Sequence, residues 1–200
     1  MITLNSTIQA YLAETLSAKR VAHILRVAET ARELAARHGV DADRAYIAAM
    51  LHDVARETPG HRLLDECRKR GVDIMPIDEV NPMPRLHGRL GALLARERFG
   101  IDDPEILEAI ASHTLGRVGM SPLEMVVFLS DYTEPGREAH NGLEEVREAA
   151  HDDLSLATRL AMDYTIRHLV NKRRSLHPQM VEARNWILTR SGEAPQPGGS

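Results

Sequence analysis

His52 and Asp53 stand next to each other in an otherwise apolar run, AAMLHDVA, where an imidazole and a carboxylate are costly to bury unless something compensates them. A divalent metal ion would do so. Imidazole nitrogen and carboxylate oxygen together suit borderline ions such as iron, manganese, cobalt or zinc, and a carboxylate can bridge two of them. One pair cannot complete a coordination sphere. The other candidates are His23, 29 residues before His52; His87, 34 after Asp53; His113, 26 further on; and Asp131, 18 beyond that. A lone His on an apolar helix is more often a hydrogen-bonded core or surface residue than a ligand. The order His, His-Asp, His, His, Asp on successive elements, with the last Asp inside VVFLSDY, is what favours a metal centre. His38, His61, His140, His151, His168 and His177 lack such settings and read as surface, capping or turn residues.

Only a fold that packs helices together can assemble ligands spread this widely. From Ser17, apolar residues recur at helical spacing through Ala35, and His38-Gly39 stops the helix. Asp41 or Asp43 caps the next helix, which ends near His52-Asp53 ahead of Thr58-Pro59-Gly60. A short helix is expected over 61–70. The segment 72–85, with three prolines, reads as a surface loop. Helix resumes over 86–99, and Asp103-Pro104-Glu105 starts one that ends at His113. Gly116 and Gly119 mark the following turn. Ser121-Pro122-Leu123-Glu124 is a capping box leading into the helix that carries Asp131. Helix with a break near Asp152-Asp153 fills 143–174, and Pro178 opens a last helix bearing Trp186, which reads as a core anchor. The expected fold is all-α, a helical bundle forming one domain over 1–190, with 191–200 a disordered tail.

Hydrophobic residues make up 43% of the 200 positions but aromatics only 4%, so the core is Leu, Ala, Val, Ile and Met. That supply favours packed helices over strands. A net charge of -4, from 25 basic and 29 acidic residues, gives no overall field for nucleic acid or an anionic membrane, so a polyanion must be gripped locally. The single cysteine, Cys67, excludes an internal disulfide and a Cys-based zinc cluster and suits a reducing cytoplasm. No stretch approaches the ~20 apolar residues of a membrane span, and the N-terminus has no signal pattern.

The segments KRVAH, AAMLHDVAR, LHGRLGA, EAIASHTLGRVGMSPLEMVVFLSDYTEPGR and ARNW, spread over residues 15–187, resemble the HD-domain metal-dependent phosphohydrolases. Within that family they resemble the YqeK-type symmetrical bis(5'-nucleosyl)-tetraphosphatases. Arg56 stands where that group usually has Lys, and Thr133 where its DYIEP pattern has Ile. The resemblance implies an HD-domain helical bundle with a dinuclear site, of iron or else manganese, cobalt or zinc. His23, His52, Asp53 and Asp131 would hold one ion, and Asp53 would bridge to a second held by His87 and His113. His52 and Asp53 would be catalytic, serving a metal-activated hydroxide that splits diadenosine tetraphosphate into two ADP.

Lys19, Arg20, Arg26, Arg56, Arg89, Arg117 and Arg137 supply cations within these segments, with Arg20, Arg56 and Arg137 the phosphate-binding candidates. The turn Thr114-Leu115-Gly116 offers backbone N–H groups to a phosphate, its plainer role being to end a helix. Glu134-Pro135-Gly136 reads as pocket rim or simple turn. The expected partner is a nucleotide, with no nucleic acid or membrane, and a homodimer is compatible with the sequence. The alternatives are an HD nucleotidase or phosphodiesterase for another nucleotide, and, from a different class, a non-catalytic helical regulatory module stabilised by metal.

Overall fold

The computed structural model describes residues 2–138 and 142–190. The expected tail at 191–200 and His140 lie outside them. The described chain is a bundle of α1 (Ile2–Thr15), α2 (Ala18–Arg37), α3 (Ala42–Leu51), α4 (Gly60–Lys69), α5 (Pro76–Val80), α6 (Met83–Phe99), α7 (Pro104–Ser112), α8 (Pro122–Thr133), α9 (Leu143–Asp152), α10 (Leu154–Asn171) and α11 (Pro178–Arg190). No strand occurs among the described residues. The caps read from the sequence are in place: Ser17, Asp41 and Asp103 each accept backbone N–H groups of the helix they start, and Asp153, at the expected break, caps α10 in the same way. Ser121 and Glu124 form the reciprocal capping box.

Two segments differ from the sequence reading. Residues 2–15 form α1, whose Ile8 and Leu12 are fully or almost fully buried. The stretch 72–85 is not a plain surface loop. It contains α5, α6 already begins at Met83, and prolines occupy the first turn of both. There the missing N–H has no intrahelical partner to lose, so each proline starts a helix instead of breaking one. Asp78 and Arg85 from this stretch are buried and ion-paired.

α2, α3, α7 and α8 share one apolar core built from Ala28, Ala31, Ala48, Leu51, Ile110, Val127 and Leu129, among others. Small residues let α2 and α3 approach closely, so the chain can present His23 and His52 toward each other. Two polar devices and one glycine fix the remaining helices. Arg44 of α3 donates to both oxygens of Asp103 at 2.9 and 2.7 Å, tying α3 to the start of α7. Glu124, fully buried, accepts from Arg117 at 2.6 and 2.8 Å and from Ser112 at 3.1 Å, locking the turn after α7 onto α8. Gly88 lets α6 lie against α7, because a Cβ there would stand 2.8 Å from the Ala111 carbonyl oxygen.

A backbone oxygen inside a helix cannot swing aside as a side chain would. Gly88→Ala therefore costs about 1–3 kcal/mol despite the better helix propensity of Ala, read as a lower Tm in a thermal melt.

Candidate metal centre

Helix ends place the imidazoles. His52 and His113 are the residues directly after α3 and α7, and each turns its Nδ1 back to a carbonyl of its own helix, Ala49 at 2.6 Å and Ile110 at 2.8 Å. His87, on the first turns of α6, does the same with the Met83 carbonyl. A carbonyl can only accept, so Nδ1 carries the proton in all three rings and each Nε2 is left with a lone pair.

These lone pairs converge on Asp53. Its Oδ1 lies 3.2 Å from His87 Nε2 and 3.7 Å from His113 Nε2. Its Oδ2 lies 3.4 Å from His52 Nε2 and 3.7 Å from His23 Nε2. One carboxylate thus separates four imidazoles into two pairs. Asp131 Oδ1 joins the second pair, 3.1 Å from His23 Nε2 and 4.0 Å from His52 Nε2. His52, Asp53, His87 and His113 are at most 3% exposed and His23 8%, so water does little to screen them.

The donor chemistry fits cations. His23 Nε2 and His52 Nε2 are buried without a hydrogen-bond partner. His87 Nε2 and His113 Nε2 stand 3.0 Å apart, two lone pairs facing each other. A cation near each pair satisfies all four nitrogens together with the carboxylates. Among the described residues, His23, His52 and Asp131 form one group able to hold a metal ion, and His52, Asp53 and His113 another.

Positive charge, as a proton or as a metal ion, is what the cluster favours. Burial opposes charge on Asp53, but His52, His113 and His87 outweigh it and hold its pKa well below the usual carboxylate range. Asp131 is lowered in the same way, against burial, by His23, His52 and Arg137. Burial depresses His87 to about 4, keeping it neutral and able to ligate. His52 is raised, its own burial outweighed by Asp53 and Asp131.

Beside this cluster opens a cavity of about 600 Å³ lined by Lys19, Arg20, Thr114, Phe128, Tyr132 and Arg137 among others. Arg20 Nη1 donates to Asp53 Oδ2 at 2.7 Å. Arg137 donates to the Asp131 carbonyl at 2.7 Å and to its carboxylate. Thr114 Oγ1 lies 3.0 Å from His113 Nε2. Arg56 is half-buried and close enough to His87 to help lower its pKa.

One expected phosphate contact, Gly116, and three other cations of the motif segments are placed elsewhere. The Gly116 N–H donates to the Ser112 carbonyl at 2.7 Å, so this glycine does not offer it to a phosphate. At φ +65° it permits a turn packed against Met162 and Met120. Arg26 is engaged with Glu134 and Arg117 with Glu124. Arg89 does not line the cavity at the cluster. His177, read as a turn residue, is buried 3.4 Å from Asp78. The Thr133 hydroxyl, where the family pattern has Ile, donates to the Leu129 carbonyl at 2.7 Å and so needs no other partner.

Glu134 is the residue that the sequence reading underrated. It is 2% exposed, its Oε1 lies 3.2 Å from His23 Nδ1, and it accepts from Arg26 at 2.6 Å and from the Gly136 N–H at 2.6 Å. It gives His23 the orientation that backbone carbonyls give the other three imidazoles. The signal was an acid in a Pro-Gly turn directly after the helix bearing Asp131.

The HD-domain model matches residues 20–136. The symmetrical bis(5'-nucleosyl)-tetraphosphatase of Bacillus subtilis is 36% identical over 183 residues, covering 91% of this chain and 96% of that protein. The chain belongs to the HD-domain family, in the group of the symmetrical bis(5'-nucleosyl)-tetraphosphatases. The equivalent Staphylococcus aureus protein is 32% identical, covering 86% of this chain and 89% of its own. A crystal structure of an HD superfamily hydrolase described as involved in NAD metabolism, from Clostridium acetobutylicum, superposes with a TM-score of 0.89 at 39% identity, over 93% of this chain and 97% of that one. Hydrolases with this domain are metal-dependent, and the His/Asp clusters here are suited to hold metal.

Because ions stabilise only the folded state, chelation lowers the Tm and re-addition of metal restores it. An unchanged melt after verified metal removal would count against the centre. Glu134→Gln keeps the shape but loses the anion, and metal affinity drops by about 10–100-fold in a chelator competition.

Proposed function

We propose that this chain is a dinucleoside tetraphosphate hydrolase that splits diadenosine tetraphosphate in its middle into two ADP. The observation that carries this is the division of four imidazoles between the two oxygens of Asp53, in a chain matching named tetraphosphatases over nearly their full lengths. His23, His52, Asp53 and Asp131 would hold one ion, and His87 and His113, with Asp53 shared, a second. The mixed nitrogen and oxygen set suits iron, with manganese, cobalt or zinc as substitutes. When bound, such ions supply Lewis acidity to a phosphate oxygen and lower the pKa of a nearby water.

The chain's own residues do the rest. Asp53 and His52 set the charge and spacing of the reacting centre. Arg20 and Arg137 hold the two carboxylates in place and line the cavity, so their remaining donors serve the polyphosphate as its charge grows. The Arg56 side chain makes no hydrogen bond or ion pair among the described residues, its backbone N–H alone bonding the Asp53 carbonyl at 2.9 Å, and Lys19 stands on the cavity wall without an ion pair. Both add unneutralised positive charge near the cluster. The Thr114 hydroxyl, beside His113, can donate to a phosphate oxygen. No helix among the described residues is long and apolar enough to cross a membrane, and a cytoplasmic nucleotide pool is the matching setting.

Product analysis tests the reaction. Metal-loaded protein should turn diadenosine tetraphosphate into ADP alone. ATP plus AMP would reject the cleavage position, and preference for a mononucleotide would reject the substrate. Asp53→Ala should lose activity and metal while keeping its helical circular dichroism. Arg137→Ala should mainly raise KM with metal retained.

A further inference from the structure

We propose that a second cavity, on the face of α6 opposite His87, binds a small phosphate-bearing molecule. It measures about 480 Å³, within the range of small-ligand sites, and its walls include Arg70, Arg85, Arg89 and Arg96. Arg85 and Arg89 each lie two positions from His87, which on a helix turns their side chains by about 200° away from it. The metal cluster and this cavity therefore share α6 but not a face.

The arginines here are poorly satisfied. Arg70 is matched by Glu66 and Glu97 and is structural. Arg85 is different, with its side chain only 8% exposed. Its Nη1 serves Asp78 and the Asp73 carbonyl, while its Nε has no partner and its Nη2 comes no closer than 3.9 Å to the exposed Asp73 carboxylate. Arg89 has a buried Nε without a partner and an Nη1 3.9 Å from Glu108. Arg96 approaches only Asp102, at 3.6 Å. None of these three distances is a hydrogen bond.

Arg70 and Arg85 thus have acid partners in Glu66, Glu97 and Asp78, Arg89 and Arg96 come no closer than 3.6 Å to an acid, and three of the four hold spare donors at one cavity. Guanidinium forks with open donors match the oxygens of a phosphate, which accepts from several at once. The lining also includes the apolar Leu93, Leu107 and Ala111, which gives a carbon portion of the ligand something to cover. An organic phosphate fits both features, and inorganic phosphate fits the arginines alone.

Amide NMR separates the two sites without relying on turnover. ADP and inorganic phosphate are titrated separately into ¹⁵N-labelled protein loaded with zinc, a diamagnetic ion. Gly71, Val72 and Ala92 should shift along a saturating curve of their own, distinct from that of Thr114, and ADP should bind there more tightly than phosphate. Equal affinity would keep the phosphate chemistry but assign the site to the free ion. Arg89→Glu should weaken this curve by about tenfold or more while leaving the Thr114 curve in place. Arg96→Glu, at a more exposed residue, should do the same if Arg89→Glu fails to fold. Shifts confined to Thr114 and its neighbours, or a Gly71 and Ala92 curve unmoved by either charge reversal or matched by sulfate and chloride, would overturn the proposal.

Discussion

Everything at the centre of this molecule follows from one buried carboxylate. Asp53, 3% exposed, keeps its charge although desolvation opposes it, because His52, His113 and His87 outweigh that cost, and Arg20 donates to it at 2.7 Å. The imidazoles are aimed by hydrogen bonds on their far sides, so the nitrogens facing Asp53 are the ones that take up a proton or a metal ion, and bare of either their lone pairs repel the carboxylate and one another. Carboxylate and lone pairs together make a strongly electronegative pit in a low-dielectric interior. Such a pit is stable when positive charge fills it. The same property makes it reactive toward phosphate esters once cations are present.

The fold can be understood as the means of keeping that pit open. His52 and His113 sit where α3 and α7 end, and terminal carbonyls fix both rings. α3 and α7 are clamped to each other by Arg44 and Asp103, and the turn after α7 is clamped to α8 by Glu124. α8 in turn delivers Asp131 and Glu134 to opposite nitrogens of His23. Gly88 allows α6 near enough for His87 to meet His113. The ligands lie far apart in the chain, and each inter-helix device removes one degree of freedom between them.

The sequence made much of this legible because helix boundaries have local chemistry. Ser17, Asp41, Asp103 and the Ser121–Glu124 box announced their helices, and the residues expected to meet in space do meet. The all-α expectation holds as well. Less visible were features that depend on partners distant in the chain. Glu134 resembled an ordinary turn acid until Arg26 and His23 were placed around it. His177 gave no hint of burial, since its partner Asp78 lies in a proline-rich stretch taken for loop. The cations were hardest to read. Sequence puts Arg26, Arg89 and Arg117 within motif segments, but only packing reveals that two are committed to buried glutamates and the third points to the other side of α6.

The central claim is that two cations flank Asp53. Anomalous diffraction from crystals of the protein purified without added metal, recorded on either side of the metal's absorption edge, tests it most directly. The account predicts two peaks, one between His87 and His113 and one between His23, His52 and Asp131, with Asp53 reaching both. A single peak touching only one oxygen of Asp53, or none at the cluster in fully folded protein, would contradict it.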